Sequence, residues 1–226
     1  MGSISDLKHV AVKIEGGGDV FVLDNGAVID AEADAMLQAL HSRSTGGFLK
    51  HLDLLEKKGA DNFTSKFYVG YGHKSIGDCG TTTIFLEGIS MLAAKAIQHS
   101  KLYNGQEAST RYVDFSKQAF IDPTSSDLGN AILEKQREFY LSLSEPVQAH
   151  LKELFPITEG DKENTYNKAI EARAFDIARG FLPSGASTNI AWHSNLRQIA
   201  DRLLFLRHHP LAEVRNVALA IEKAVM

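Results

Sequence analysis

Residues 72–112 read GHKSIGDCGTTTIFLEGISMLAAKAIQHSKLYNGQEASTRY, and this stretch decides the fold. It opens on a turn of small polar residues from Gly72 to Ser75. Thr81 to Ile89 then reads as a strand, because Thr, Ile, Phe and Leu dominate it and such side chains pack well on a pleated surface. A helix follows. Ser90 stands as its N-cap, and Met91 to Ile97 is built from Ala, Leu, Met, Lys and Ile with no proline. The helix delivers Gln98, His99 and Ser100 at its C-terminal end. The loop after them gathers Asn104, Gly105, Gln106, Glu107, Ser109 and Arg111 into eight positions, a dense polar loop next to a buried element.

Upstream of this stretch, His9 to Ile14 and Asp19 to Leu23 alternate or cluster β-forming residues, and Gly16-Gly17-Gly18 joins them as a hairpin. These glycines lack the spacing and the following helix start of a phosphate loop, so they make a turn. From Ala31 to Leu40 the apolar residues Ala33, Met36, Leu37 and Leu40 fall at helical spacing, and Phe48 to Leu55 gives a short amphipathic helix. A third helix is expected over Asp61 to Val69. Downstream, Ser125-Ser126-Asp127 offers a cap for a long helical run from Ala131 to Leu154, kinked or bounded by Pro146. Lys162 to Phe181 forms the next helix, stopped by Leu182-Pro183-Ser184-Gly185. Asn195 to Leu206 and Leu211 to Val225 are two more, parted by His208-His209-Pro210.

At 226 residues and 44% hydrophobic content, the chain can bury a full core and reads as one domain over residues 1–226. No stretch of about 18 uninterrupted apolar residues indicates a membrane span. The start, MGSISDLKHV, lacks a basic segment followed by an apolar one, so a cytoplasmic location is expected. Cys79 is the single cysteine, which excludes an intrachain disulfide and a cysteine zinc cluster, and no metal site is expected. The net charge of −4 argues against a nucleic-acid partner, yet a small anionic ligand needs only a few local arginines.

Read from the residues alone, His99 at the end of an apolar helix is either a structural histidine or a functional one. Ser109 lacks the Gly-x-Ser-x-Gly surroundings of an activated nucleophile. Arginine suits phosphate because its planar fork donates two parallel charged hydrogen bonds. Arg111 lies in the polar loop, and Arg179 either grips a ligand or faces a helix C-terminal dipole.

The residues from His73 onward resemble the flavin-dependent thymidylate synthases (ThyX). That family's signature is Arg-His-Arg, seven residues, then Ser within a run like Asn-Glu-x-Ser-x-Arg-Tyr, preceded by His-x-Ser/Thr-x-x-Glu-His. His73, Ser75 and Asp78 stand for the upstream segment, His99 for the central histidine, and Gln106, Glu107, Ser109, Arg111 and Tyr112 for the end. Both signature arginines are replaced, by Gln98 and Ser100, and eight residues separate Ser100 from Ser109. Asn195-Leu196-Arg197 resembles the family's Asn-x-Arg, Leu206-Arg207 its Leu-Arg, and His209-Pro-Leu-Ala-Glu213-Val its His-Ala-Gln-x-Glu-Ile. Arg207 falls one residue late, about 100° of helical rotation.

The resemblance implies an α+β fold, ThyX-like, with a central mixed sheet flanked by long helices, assembled as a homotetramer. It implies FAD held by Ser75, Asp78, His99, Gln106, Asn195, Arg197 and His209. It implies a uridine nucleotide held by Lys95, Glu107, Ser109, Arg111, Arg179 and Arg207, with Arg179 on its phosphate and Arg207 at the pyrimidine. His99 and Arg207 are the implied catalytic residues. The implied reaction is C5-methylation of UMP or dUMP, with NAD(P)H as reductant and methylenetetrahydrofolate as carbon donor. The alternatives are a degenerate subunit that binds nucleotide or flavin without turnover, and a non-enzymatic helical interaction module. The extra residue near Gly105 is expected to give the loop a freely rotating unit that reshapes it around a ribose, favouring UMP and answering to deletion of Gly105.

Overall fold

The computed structural model describes residues 9–23, 31–43, 48–58 and 74–225. They fall into two compact units, the first from the described residues within 1–87, 95–106 and 190–226 and the second from residues 88–94 and 107–189. The units are interleaved in sequence. The helix expected over Asp61 to Val69 lies outside the described residues.

In the first unit, β1 (His9–Lys13) and β2 (Asp19–Leu23) pair antiparallel with His9 opposite Leu23 and Lys13 opposite Asp19. The connection needs glycine: Gly16, Gly17 and Gly18 have φ of 93°, 119° and 91°, a region that side-chain-bearing residues rarely adopt. β2 pairs antiparallel with β3 (Thr81–Ser90), Val20 opposite Leu86 and Val22 opposite Ile84. The inward residues Val20, Ile84 and Leu86 are fully buried, so the period-two pattern read from the sequence sets the register. Helix α1 (Ala31–Arg43) buries Ala35, Met36 and Ala39 in one cluster with Ile76, and α2 (Phe48–Lys58) adds Leu52 to its margin. Ser90 caps α3 (Met91–Gln98) as expected, its hydroxyl accepting from the Ala93 N–H at 3.0 Å.

Two strands were not legible. β4 (Asn104–Glu107) occupies the stretch expected as a loop, and β5 (Ser187–Asn195) occupies a stretch in which no element was expected. The strand order is β1-β2-β3-β5-β4. The pairings run antiparallel, where the resemblance implied a mixed sheet: Thr83 meets His193 and Gly88 meets Asn189, so one chain number rises as the other falls. Along β5, Ile190, Trp192 and Ser194 are buried while Asn189 and His193 are exposed. Trp192 is 1% exposed, and burying so large a side chain outweighs the weak strand propensity of Asn189 and Asn195.

Gly105 in β4 is held by close packing. A Cβ there would run into the Ala191 carbonyl oxygen and the Tyr103 ring. The φ of Gly105 is not positive, and the residue lies in a strand where a loop was expected. Deleting this residue removes a strand position and shifts the register of β4, which turns every later side chain to the other face.

β5 ends on Asn195, whose side chain accepts from the Gln198 N–H at 2.9 Å and caps α7 (Leu196–Leu206). The chain closes with α8 (Ala212–Val225), which packs on β1, β2 and α7 through Val214, Val217, Ala218 and Ile221.

In the second unit, Ser126 caps α4 (Asp127–Ser142) by accepting from the Gly129 N–H at 3.0 Å. The single long helix expected up to Leu154 is divided at Leu143, and α5 (Ser144–Leu154) carries Pro146 in its first turn, where a missing N–H costs no helical bond. Helix α6 (Glu163–Ala178) packs on α5 through Leu151, Ile170 and Ala174 and ends in a 3-10 turn, Arg179–Phe181. Phe115, Tyr140, Ala178 and Ala186 form the other core cluster of this unit.

Asp122 organises the entry to α4. Its carboxylate accepts from the Thr124 hydroxyl at 2.7 Å and the Ser126 N–H at 2.7 Å, and these bonds hold its pKa down at about 2. Because the folded value lies below the unfolded 3.8, the stability Asp122 adds is complete above that value and is lost as pH falls through about 2.

Two measurements check this fold. Gly105→Ala should destabilise the protein by about 1 to 3 kcal/mol in urea unfolding, the scale of an overpacked contact, with wild-type stability contradicting the close approach. Asp122→Asn should flatten the dependence of stability on pH below about pH 4, and an unchanged acid slope would contradict the Asp122 network.

Candidate functional site

The residues implicated by sequence divide between the two units. In the first, the 3-10 turn Lys74–Asp78 presents Ser75 exposed and Asp78 half-buried. Arg197, in the first turn of α7, reaches Asp78 with both prongs of its fork, Nε to Oδ1 at 2.7 Å and Nη2 to Oδ2 at 2.6 Å. A bidentate charge-assisted pair of this kind fixes the guanidinium plane. Asp78, Asn195 and Arg197 are therefore gathered at the N-terminal end of α7, with the Asn195 oxygen occupied as the cap.

Arg207 and His209 lie at the opposite end. Arg207 comes ten positions after Arg197, roughly 15 Å along a helix, so α7 does not bring the two arginines to one point. Arg207 donates through Nη1 to Glu222 of α8 at 3.1 Å. The Nδ1 of His209 accepts from the Leu211 N–H at 3.2 Å, which puts the proton of its neutral ring on Nε2. Between the ends of α7 lies a cavity of about 460 Å³, with Leu196, Ile199 and Leu203 on one wall, Met36 and Ile76 on another, and Glu222 among its lining. Its walls suit an apolar or aromatic ring.

The end of α3 carries Lys95, whose Nζ donates to Gln98 Oε1 at 2.7 Å, and His99, whose N–H closes on the Lys95 carbonyl and whose side chain is exposed. An arginine not singled out from sequence reaches this helix end: Arg202 donates through Nη2 to the Ala96 carbonyl and lies over the Phe205 ring at 4.8 Å. Burial lowers its pKa and leaves its Nε without a partner. A cation is thus present at the C-terminal end of α3, where the helix dipole favours it. Gln106 is exposed on β4.

In the second unit the structure gathers Ser109, Arg111 and Arg179. Ser109 caps the 3-10 turn Thr110–Tyr112, its hydroxyl accepting from the Arg111 N–H at 3.4 Å. Arg111 then grips Asp176 with Nε at 3.0 Å and Nη2 at 2.6 Å, and Arg179 touches the same carboxylate through Nη2 at 3.2 Å. The Arg111 bonds, more than the nearby charges, hold the Asp176 carboxyl below the usual carboxylate range. The three side chains remain 53%, 40% and 35% exposed for Arg111, Arg179 and Asp176, so the cluster is open to a ligand. Glu107 is half-buried at the end of β4.

A model of the thymidylate synthase complementing protein family, Thy1, matches residues 29–226. The chain belongs to this family. Among curated relatives, a UPF0159 protein of Chlamydia pneumoniae is 28% identical over 173 residues, and one of Chlamydia muridarum (strain MoPn / Nigg) is 28% identical over 181. These matches cover 71% and 75% of this chain but 32% and 34% of the relatives, so the chain spans about a third of their length. Among solved structures, Thymidylate Synthase X (ThyX) from Helicobacter pylori with FAD and dUMP is similar at 16% identity and a TM-score of 0.48, covering 86% of each chain.

Within the Thy1 match, sequence reasoning missed Asp176, Glu222 and Arg202. Asp176 had a readable signal, because it stands three residues before Arg179 on a helix and so shares its face. Glu222 and Arg202 had none, since their partners are set by packing between elements.

Proposed function

We propose that this protein catalyses flavin-dependent C5-methylation of a uridine nucleotide, UMP or dUMP. The observation that carries this reading is the pair of guanidiniums, Arg111 and Arg179, gathered at one exposed carboxylate. Family membership supplies the reaction class, and the pair supplies what a nucleoside monophosphate requires: two positive charges held close together for a dianion. Ser109 fixes the turn that aims Arg111, so its role is to shape the anion site, with Glu107 beside it at the end of β4.

The donors of the first unit fit FAD in their chemistry. Arg197 is fixed in direction by Asp78 yet 40% exposed, a suitable partner for an anionic chain, and His99 offers an exposed imidazole. Ser75, Gln106 and Asn195 add neutral hydrogen-bonding groups in the same unit, and His209 adds an imidazole. When bound, FAD carries the two electrons from NAD(P)H that turn a transferred methylene into a methyl group, with methylenetetrahydrofolate as carbon donor. The protein holds and orients: in the second unit Arg111 and Arg179 would take the phosphate, and in the first unit the family resemblance gives Lys95 as a cation and Arg207, its direction set by Glu222, as a guanidinium for a pyrimidine. His99, exposed at the end of α3, would hold the flavin and polarise it. A homotetramer in the cytoplasm is the setting that the family resemblance suggests.

The second reading, a degenerate subunit that binds without turnover, is favoured by Gln98 and Ser100 at the two signature arginine positions. Nucleotide binding is required by the first reading and open to the second, and it is therefore tested first. Isothermal calorimetry with FAD-supplemented protein should show binding of UMP or dUMP, weakened by about 1.5 to 3 kcal/mol in Arg179→Ala, the scale of a hydrogen bond to a charged group. An unchanged affinity removes Arg179 from the site, and absence of nucleotide binding by the unmodified protein overturns the methylation reading and leaves the degenerate subunit as a flavin binder alone.

A further inference from the structure

We propose that Asp176 is a positioning residue for anion capture, its carboxylate aligning Arg111 and Arg179 so that both address one phosphate. This rests on the reading of those arginines as phosphate ligands. Asp176 stands in the last turn of α6, three residues before Arg179, so the helix fixes the two relative to each other. Arg111 comes from a distant part of the chain, on the short 3-10 turn behind β4. What ties it to α6 is the bidentate grip on Asp176, Nε at 3.0 Å to Oδ1 and Nη2 at 2.6 Å to Oδ2.

Four features make the carboxylate an aligner. A lone arginine has many rotamers, and a ligand must order each one it uses, whereas a fork already seated on a carboxylate has lost that freedom before binding. Two guanidiniums held close repel one another, and the carboxylate between them offsets this while leaving the cluster one positive charge in excess. Arg179 touches Asp176 with Nη2 alone, so the rest of its fork is not spent on the carboxylate. The cluster is also open to solvent, so a dianion can add to it without first displacing a buried ion pair.

The role is specific to the phosphate end. Loss of the carboxylate should weaken ligands that carry a phosphate and leave recognition of the base and sugar in place. A purely structural role for Asp176 would instead weaken all ligands together and lower the melting temperature.

The test uses the whole chain with FAD added, and three probes: dUMP, uridine and inorganic pyrophosphate. Asp176→Asn keeps the size and removes the charge, and it should lower affinity for dUMP and pyrophosphate about tenfold while affinity for uridine and the melting temperature stay within error. Asp176→Glu should recover part of the loss. If Asp176→Asn fails to fold, Asp176→Ser carries the same test, because it too removes the carboxylate on which the Arg111 fork is seated while leaving both arginines in place, and it should show the same phosphate-specific loss. Unchanged or tighter dUMP and pyrophosphate binding in Asp176→Asn overturns the proposal while leaving the uridine-nucleotide reading intact. Asp176-dependent binding of pyrophosphate without any binding of dUMP overturns the nucleotide reading and supports the positioning role. No binding of any phosphate-bearing probe by the unmodified protein overturns both.

Discussion

The antiparallel seat of β5 beside β3 is the constraint on which much of the structure depends. Trp192 and Ile190 must turn inward together, which forces Asn189 and His193 outward, where Asn189 accepts from the Gly88 N–H and His193 bonds Thr83. The same strand sets what surrounds its ends. Its carbonyl at Ala191 lies so close to β4 that only glycine fits at position 105, and its last residue, Asn195, starts the helix that bears Arg197. A shift of one residue along β5 would bury His193 in place of Trp192 and rotate Arg197 away from Asp78.

Elements with strong local patterns were readable from the sequence. The β1–β2 hairpin, the strand from Thr81, the Ser90 and Ser126 caps and the terminal helices all appear where hydrophobic period and capping residues placed them. β4 was hidden because Asn104-Gly105-Gln106-Glu107 has no apolar period at all; it is a strand by virtue of its neighbour. β5 carried a faint signal in the alternation of Ile190, Trp192 and Ser194, masked by Asn and Ser at the flanking positions. A kink or boundary was expected at Pro146, but the run divides at Leu143 and the proline sits harmlessly in the first turn of α5.

The family motifs identified which residues to examine, and the structure added their partners. Sequence alone singles out Arg111, Arg179, Arg197 and Arg207, yet each meets a carboxylate: Asp176 for the first two, Asp78 and Glu222 for the others. Only Asp78 was foreseen as part of the site, because it falls within a motif. These exposed pairs contribute little to stability. Their effect is on direction, since a seated guanidinium presents its remaining donors in a fixed plane. At the end of α3, where Gln98 and Ser100 stand in place of the signature arginines, Arg202 supplies a guanidinium from α7, but it is committed to the Ala96 carbonyl and partly buried.

The central claim is that this chain methylates a uridine nucleotide with electrons from a flavin. Its most direct test is the mass of the nucleotide after anaerobic incubation of the purified protein with FAD, NADPH, methylenetetrahydrofolate and an equal mixture of UMP and dUMP. The account predicts that one of the two gains the mass of a single CH2 group, in an amount exceeding the enzyme present and dependent on both FAD and the folate. Nucleotides recovered unaltered, from protein shown to bind them, would contradict it.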